Sequence, residues 1–266
     1  MLTLATWNVN SIKARQERFL AWLTSRSPDI VCLQELKVTD DAFPHDEIAA
    51  AGYHAAVFGQ KTWNGVAILS KQPISDVMLG MDDGVDDSQA RAIAGRTFGL
   101  DAVSVYVPNG MTIGSDKWEY KLNWMKRLRA MLDRRFTSES DVVVCGDINI
   151  APTDLDVAKP EKWAHSVLCD PAGRSALAEI MAFGLEDVIR KHNPGPGPFS
   201  WWDYRMLAFP KGDGLRIDHI LASRSLATRS TAGWVDRDER KGQKPSDHAP
   251  VMASFAWTAS TRDASD

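Results

Sequence analysis

The sequence predicts an α/β sandwich in which two β-sheets pack together and helices face their outer sides. Three observations carry that expectation. Apolar runs of strand length are mixed with segments of helical periodicity along the whole chain. Two separate strand, helix, strand units can be read, one at the start and one in the middle. The chain has 266 residues, 44% of them hydrophobic, enough to bury a sizeable core. Periodicity alone does not force this layering over a single wound sheet.

Residues 2 to 9 alternate as a short strand, and the stretch 11 to 25 carries Phe19, Trp22 and Leu23 at helical spacing. Residues 29 to 34 read as a buried strand that ends at Glu35. The second unit opens with a strand over 102 to 107. A helix over about 116 to 135 follows, with Trp118, Leu122, Met125, Leu128 and Leu132 on one face. A strand over 142 to 145 then runs into Gly146-Asp147-Ile148-Asn149. Between the units, residues 53 to 58 and 66 to 70 read as paired strands separated by a turn around Asn64-Gly65. Later come a helix over 174 to 183, a Pro/Gly loop at 194 to 198, and strands over 217 to 222 and 251 to 257. The expected organisation is one catalytic domain over 1–257 and a loose polar tail over 258–266.

Composition bounds the function classes. No apolar run approaches the roughly 18 residues that would span a bilayer, and the first residues lack the basic flank and cleavage site of a signal peptide. A soluble, cytoplasmic and monomeric protein without a membrane partner is expected. Cys32, Cys145 and Cys169 are odd in number and far apart, which suggests buried thiols in place of a disulfide framework or a cysteine metal site. The net charge of −4 argues against indiscriminate nucleic-acid binding. Lys and Arg nevertheless gather in segments 117 to 135, 205 to 216 and 237 to 244. A basic rim around an acidic centre suits a polyanionic substrate.

Six short segments place Asn, Asp, Glu or His just beyond an apolar run, where a strand would leave the core. They are Trp7-Asn8-Val9-Asn10, Gln34-Glu35-Leu36-Lys37, Tyr106-Val107-Pro108-Asn109-Gly110, Gly146-Asp147-Ile148-Asn149, Arg216-Ile217-Asp218-His219 and Ser246-Asp247-His248-Ala249-Pro250. One Asp or Asn after a strand is ordinarily a turn or a cap. Six in one chain point to a site. In order and spacing they resemble the exonuclease III family of abasic-site endonucleases, within the endonuclease/exonuclease/phosphatase superfamily. The resemblance covers residues 2 to 257. The stretches 146 to 154 and Phe199-Ser200-Trp201-Trp202-Asp203-Tyr204-Arg205 point to the DNA-repair branch over the lipid and inositol-phosphate phosphatases.

That resemblance implies a four-layered α/β sandwich. It also implies Mg²⁺-dependent hydrolysis of the phosphodiester 5′ to abasic sites, with 3′–5′ exonuclease activity and trimming of blocked 3′ ends. Mn²⁺ is the other metal it allows, and the implied partner is double-stranded DNA carrying such damage. The chemistry explains the residue types. A phosphodiester is an anion that repels nucleophiles, so the site must supply positive charge, a deprotonated water and help for the leaving oxygen. A hard cation such as Mg²⁺ takes oxygen ligands and keeps several waters, so one or two carboxylates and an amide suffice.

By resemblance, Glu35 is the leading metal ligand, with Asn8 and Asp247 beside it. A bland alternative for Glu35 is a strand-end ion pair with Lys37. Asp147 and Asn149 lie two apart, so both side chains point to one side of an extended segment. The resemblance makes Asp147 a general base or a ligand for a second metal, and gives Asn149 metal contact or transition-state stabilisation. His248 titrates near neutrality when unperturbed, which suits either a neutral hydrogen-bonding partner of water or an imidazolium facing phosphate. Asp218 matches the aspartate that orients this histidine. Tyr106 matches a tyrosine that contacts the phosphate or assists the leaving group. Asn109 and Arg91 match groups near the DNA backbone.

Lys117 and Lys121 either extend a phosphate track or form a solvated helix face. Trp201 matches the aromatic wall of a pocket for a base-less sugar, with Leu215 and Ile217 as neighbours, while Trp202 is assigned to the core. Arg205 is placed to wedge into the duplex or clamp phosphate. His165 departs from the expected pattern, and either crowds that pocket in favour of 3′ trimming or faces solvent. Two competing classes are an exonuclease or 3′-phosphatase-biased relative with weak abasic-site cutting, and a phosphatase of other phosphoesters. The second should lack the Ser200-Trp201-Trp202 segment and the basic loops. A DNA-binding protein without catalysis would have lost site residues, and none of the principal ones is missing.

Overall fold

Each predicted strand, helix, strand unit forms the centre of its own sheet. The computed structural model describes residues 1–85, 88–137 and 139–257, so the expected tail over 258–266 lies outside the described residues. The first half runs β1 (Leu2–Asn8), α1 (Ile12–Arg26), β2 (Ile30–Gln34), α2 (His45–Ala50), β3 (His54–Phe58), β4 (Val66–Ser70), β5 (Ser75–Leu79) and β6 (Ala92–Thr97). Next come β7 (Leu100–Tyr106), α3 (Asp116–Arg135), β8 (Val142–Asp147), α4 (Pro160–Trp163), α5 (Pro171–Met181), β9 (Leu185–Asp187) and α6 (Val188–His192). The chain closes with β10 (Asp218–Ser223), α7 (Arg224–Thr228), β11 (Ser230–Val235) and β12 (Val251–Phe255).

One six-stranded sheet has the order β11-β12-β1-β2-β4-β3, the other β5-β6-β7-β8-β10-β9. In each, one central pair is parallel, β1 with β2 and β7 with β8, and the remaining pairs are antiparallel. The parallel pairs need crossovers, which α1 and α3 provide. Both helices start on a serine cap: the Ser11 hydroxyl accepts from the Ala14 amide and that of Ser115 from Trp118.

Three apolar clusters define the layers. Leu4, Cys32, Ile68, Ala102, Val143, Cys145 and Ile220 fill the space between the sheets. Phe19, Trp22 and Ile48 cover the outer face of the first sheet, and Trp124, Leu128, Leu132, Leu177 and Ile180 that of the second. The result is the expected helix, sheet, sheet, helix sandwich. Near the site end a polar clamp joins the two sheets. Buried Gln34 on β2 donates to the hydroxyls of Thr6 on β1 (3.0 Å) and Ser104 on β7 (3.1 Å). Each group is satisfied, so the clamp pins the sheets together without leaving a buried polar atom unpaired.

The paired strands predicted on either side of Asn64-Gly65 form, with His54 opposite Ser70 and Phe58 opposite Val66. The helix expected from 174 starts a turn earlier at Pro171, where the Asp170 carboxylate caps it through Ala172. Strands β5, β6, β9 and β11 were not among the sequence expectations. β6 reads Ala-Ile-Ala-Gly-Arg-Thr, small residues with little strand signal. Packing requires that smallness, because a Cβ on Gly95 would come within 2.7 Å of the Ile74 side chain. β11 likewise owes its conformation to its ladder with β12.

Candidate active site

The two parallel pairs point their carboxyl ends to the same edge of the sandwich, the usual place for ligands in open α/β sheets. Asn8 ends β1, Glu35 follows β2, Tyr106 ends β7 and Asp147 ends β8. Asp218 begins the antiparallel β10 directly opposite Asp147, and His248 sits shortly before β12. Residues from both sheets therefore meet in one cluster. The chain reaches it through uncommon backbone: Asn10, Glu35, Lys37 and Asn149 all have left-handed φ, between 46° and 57°. Such conformations cost about 1 kcal/mol or more each and concentrate at functional sites.

At the centre, the Asn8 amide nitrogen donates to Glu35 Oε1 (2.8 Å) and to Asp147 Oδ2 (2.9 Å), bridging the two carboxylates. Lys37 pairs with Glu35 Oε2 at 2.9 Å, so the bland ion pair exists, but it occupies only one carboxylate oxygen of Glu35. Asp147 is buried, and its Oδ1 accepts from the Asn149 amide at 3.0 Å. His248 stands between two aspartates: Nδ1 lies 2.9 Å from Asp218 Oδ2, and Nε2 lies 3.7 Å from Asp147 Oδ2. The Ser200 hydroxyl donates to Asp218 Oδ2 at 2.6 Å and fixes that carboxylate.

Burial disfavours the imidazolium of His248, but Asp218 and Asp147 outweigh it and lift its pKa to about 10. Burial pushes Asp147 up to about 7, with Asp218 and Glu35 adding to the shift and His248 opposing it. Burial also carries the Tyr106 hydroxyl well above its ordinary range, with Glu35 and Asp147 in support. The tyrosine is a proton donor at neutral pH.

Glu35, Asp147 and His248 each bring one ligand atom within 4.8 Å of the others. Two carboxylates are hard oxygen donors, a set that fits a divalent cation. Asp247 stands beside this group, outside it. Its oxygens accept from Trp201 Nε1 (3.0 Å) and Asn10 Nδ2 (2.9 Å). Burial raises the Asp247 pKa, but His248, Trp201 and Asn10 outweigh it and hold the carboxyl below its ordinary range.

A second set of groups lines the approach. Asn109 Nδ2 donates to Asn149 Oδ1 at 3.1 Å, and Asn149 Nδ2 donates to the Val107 carbonyl at 3.0 Å. Each amide keeps a second N–H for an anion. The Arg91 guanidinium lies 4.6 Å from the Tyr106 ring centroid and donates to the Tyr106 carbonyl at 3.2 Å. Arg91, Tyr106, Asn109 and exposed Lys117 line a cavity of about 710 Å³ together with exposed Trp63. Lys121 fits neither expectation made for it. It is fully buried, because it falls on the inward face of α3 with Trp118 and Trp124.

On the other side of His248, the Trp201 ring lies 6.5 Å from the imidazole and clusters with Leu215 and Ile217, as expected. Trp202 is buried against Phe209, also as expected. Trp163 meets Trp201 edge-on at 5.6 Å, while His165, two residues further, is exposed. The Arg205 side chain is 84% exposed and pairs with Asp203 in its own loop. Three participants escaped the sequence reading: Asn10, Ser200 and Trp163. Asn10 and Ser200 stand inside quoted motifs, which could have flagged them. Trp163 carries no pattern and enters only through contact.

Comparison with known proteins agrees with this geometry. The Endonuclease/Exonuclease/phosphatase family model matches residues 5–248. Exodeoxyribonuclease III of Haemophilus influenzae is 36% identical over 262 residues, covering 94% of this chain and 98% of that protein. Among solved structures, an AP endonuclease from Archaeoglobus fulgidus superposes with a TM-score of 0.93 at 39% identity, covering 96% of this chain and 99% of that one. A 3′ phosphatase from Neisseria bound to a product DNA hairpin also superposes at 0.93, with 38% identity over 97% of this chain and 100% of that one. The strand-end cluster and these matches together establish that the chain belongs to the endonuclease/exonuclease/phosphatase family, as a DNA-repair phosphodiesterase of its exonuclease III branch.

Proposed function

We propose that the protein hydrolyses the phosphodiester 5′ to abasic sites in duplex DNA and trims blocked 3′ ends, with Mg²⁺ as its metal, acting as a monomeric single domain over 1–257. The observation that carries this reading is the buried line Asp218, His248, Asp147, with Glu35 beside it and Trp201 against the imidazole. Glu35 and Asp147 would hold the cation, which supplies Lewis-acid stabilisation of phosphate charge. Asp147 takes the proton of the attacking water. His248, kept protonated by Asp218, donates to a phosphate oxygen. Tyr106 donates near the leaving oxygen, and the free N–H groups of Asn109 and Asn149 bind the phosphate. Trp201, backed by buried Leu215 and Ile217, forms an apolar wall for a sugar without a base, which costs least to turn out of the stack. Arg91 and Arg205 contact the DNA backbone or groove on either side.

The test uses two duplexes, one with a single abasic analogue and one with a 3′-phosphate, each with Mg²⁺ and with EDTA. Metal-dependent incision of the first and dephosphorylation of the second are expected. Folded protein that processes neither would refute the reading. The related proteins named for AP endonuclease and for 3′ phosphatase activity make the ratio of the two rates informative. His165→Gly should shift that ratio toward incision; an unchanged ratio removes His165 from the account.

A further inference from the structure

Lys121 lies in the second turn of α3, on the helix face that packs inward. A lysine there costs several kcal/mol unless its protons find acceptors. All three do. Nζ donates to the backbone carbonyls of Asn109 (3.1 Å), Asn149 (2.8 Å) and Val167 (3.1 Å). An ammonium has three donors, so the set is complete.

The three acceptors belong to different segments. One follows β7, one follows β8, and the third leads on from α4, which carries Trp163 against Trp201. Helical side chains lean toward the helix N-terminus, which aims Lys121 back at the loop preceding α3. The loop leaves room for it at Gly110. Its φ is +92°, and a Cβ there would lie 3.0 Å from both Lys121 Cδ and Trp118 Cε3.

We propose that Lys121 is a positioning residue for phosphodiester cleavage, holding the Asn109 and Asn149 backbones in the relative placement from which their amides grip the phosphate. The inference rests on the reading of this site as a phosphodiesterase centre. Lys121 does not touch DNA, because its ammonium is enclosed beneath the two loops. Its effect passes through the amides, whose misplacement by about 1 Å can cost about 10²-fold in rate.

A mutant cycle measured by single-turnover cleavage of the abasic-analogue duplex tests it. Lys121→Met should lower the rate at saturating DNA about 10²-fold. The DNA dissociation constant should change by less than about threefold, and Lys121→Arg should recover part of the loss. In an Asn109→Ala/Asn149→Ala background, adding Lys121→Met should cost no more than about twofold, because the groups it positions are gone. The same loss with and without the two amides would mean a merely structural lysine and overturn the proposal. A loss confined to DNA affinity would mean a phosphate-binding lysine and also overturn it. If circular dichroism shows Lys121→Met to be unfolded, Lys121→Gln, which keeps two N–H donors, is carried through the same cycle. Absence of cleavage by the wild-type protein would instead strike the phosphodiesterase reading, so the two failures are told apart in one assay.

Discussion

His248 shows how neighbours decide what a residue does. An isolated imidazole is half charged near neutrality, but Asp218 on one nitrogen and Asp147 beyond the other keep this one protonated in spite of burial. Asp218 therefore acts chiefly through the ring, besides raising the pKa of Asp147. His248→Gln and Asp218→Ala are each expected to lower kcat by about 10²–10⁴-fold, and the double variant to be no worse than the poorer single one. Single-turnover rates at saturating DNA check this, and additive losses would separate the two residues. The motif Ser246-Asp247-His248 was legible as a site, and the family resemblance paired its histidine with Asp218, yet the partners of Asp247 were not legible. Asp247 serves Trp201 and Asn10, whereas the aspartate that serves His248 arrives from position 218 on another sheet.

The strand is the element that places the chemistry, and strand ends were the part of the fold most legible in the chain. Buried strands such as β2 and β8 are continuous apolar runs, so their sudden polar ends stand out. Strands β6 and β11 stayed hidden because alanine, glycine and hydroxyl residues break up their apolar pattern and pairing partners hold them. Gly146 shows how tightly one strand end is built. Its φ is +149°, and a Cβ there would fall 1.9 Å from the Val105 carbonyl oxygen on the neighbouring β7. Gly146→Ala must push the two strands apart just before Asp147. We expect a loss of about 3 kcal/mol or more in urea unfolding, with activity falling further than the remaining folded fraction explains. A loss below about 1 kcal/mol would show that the ladder yields easily there.

Across the whole molecule, a buried ionic network ties the site loops to the far edge of the second sheet. Arg216 pairs with Asp156 and Asp187, both at 2.7 Å, Arg190 adds a second contact to Asp156, and His219 lies 3.6 Å from Asp187. Burial works against ionisation of both aspartates, but Arg216 outweighs it and holds them below the usual carboxylate range. A folded pKa below the unfolded value means stabilisation that is present above about pH 4 and lost as pH falls through the depressed folded values. Arg216→Met should therefore cost about 3–5 kcal/mol at pH 7, where it strands buried charge. At pH 3 the gap from wild type should narrow, which urea unfolding at both pH values would show. The two strand, helix, strand units and the polar residues at the six strand ends could be read from local periodicity and residue type, while the roles of those residues and of Trp201 came through the resemblance to the exonuclease III family. Which carboxylate faces which imidazole nitrogen, the contact of Trp163 with Trp201 and the burial of Lys121 beneath two amide-bearing loops came from the folded structure. Those depend on where separate loops meet at the edge of the sandwich, and no local pattern records which residues such loops bring together.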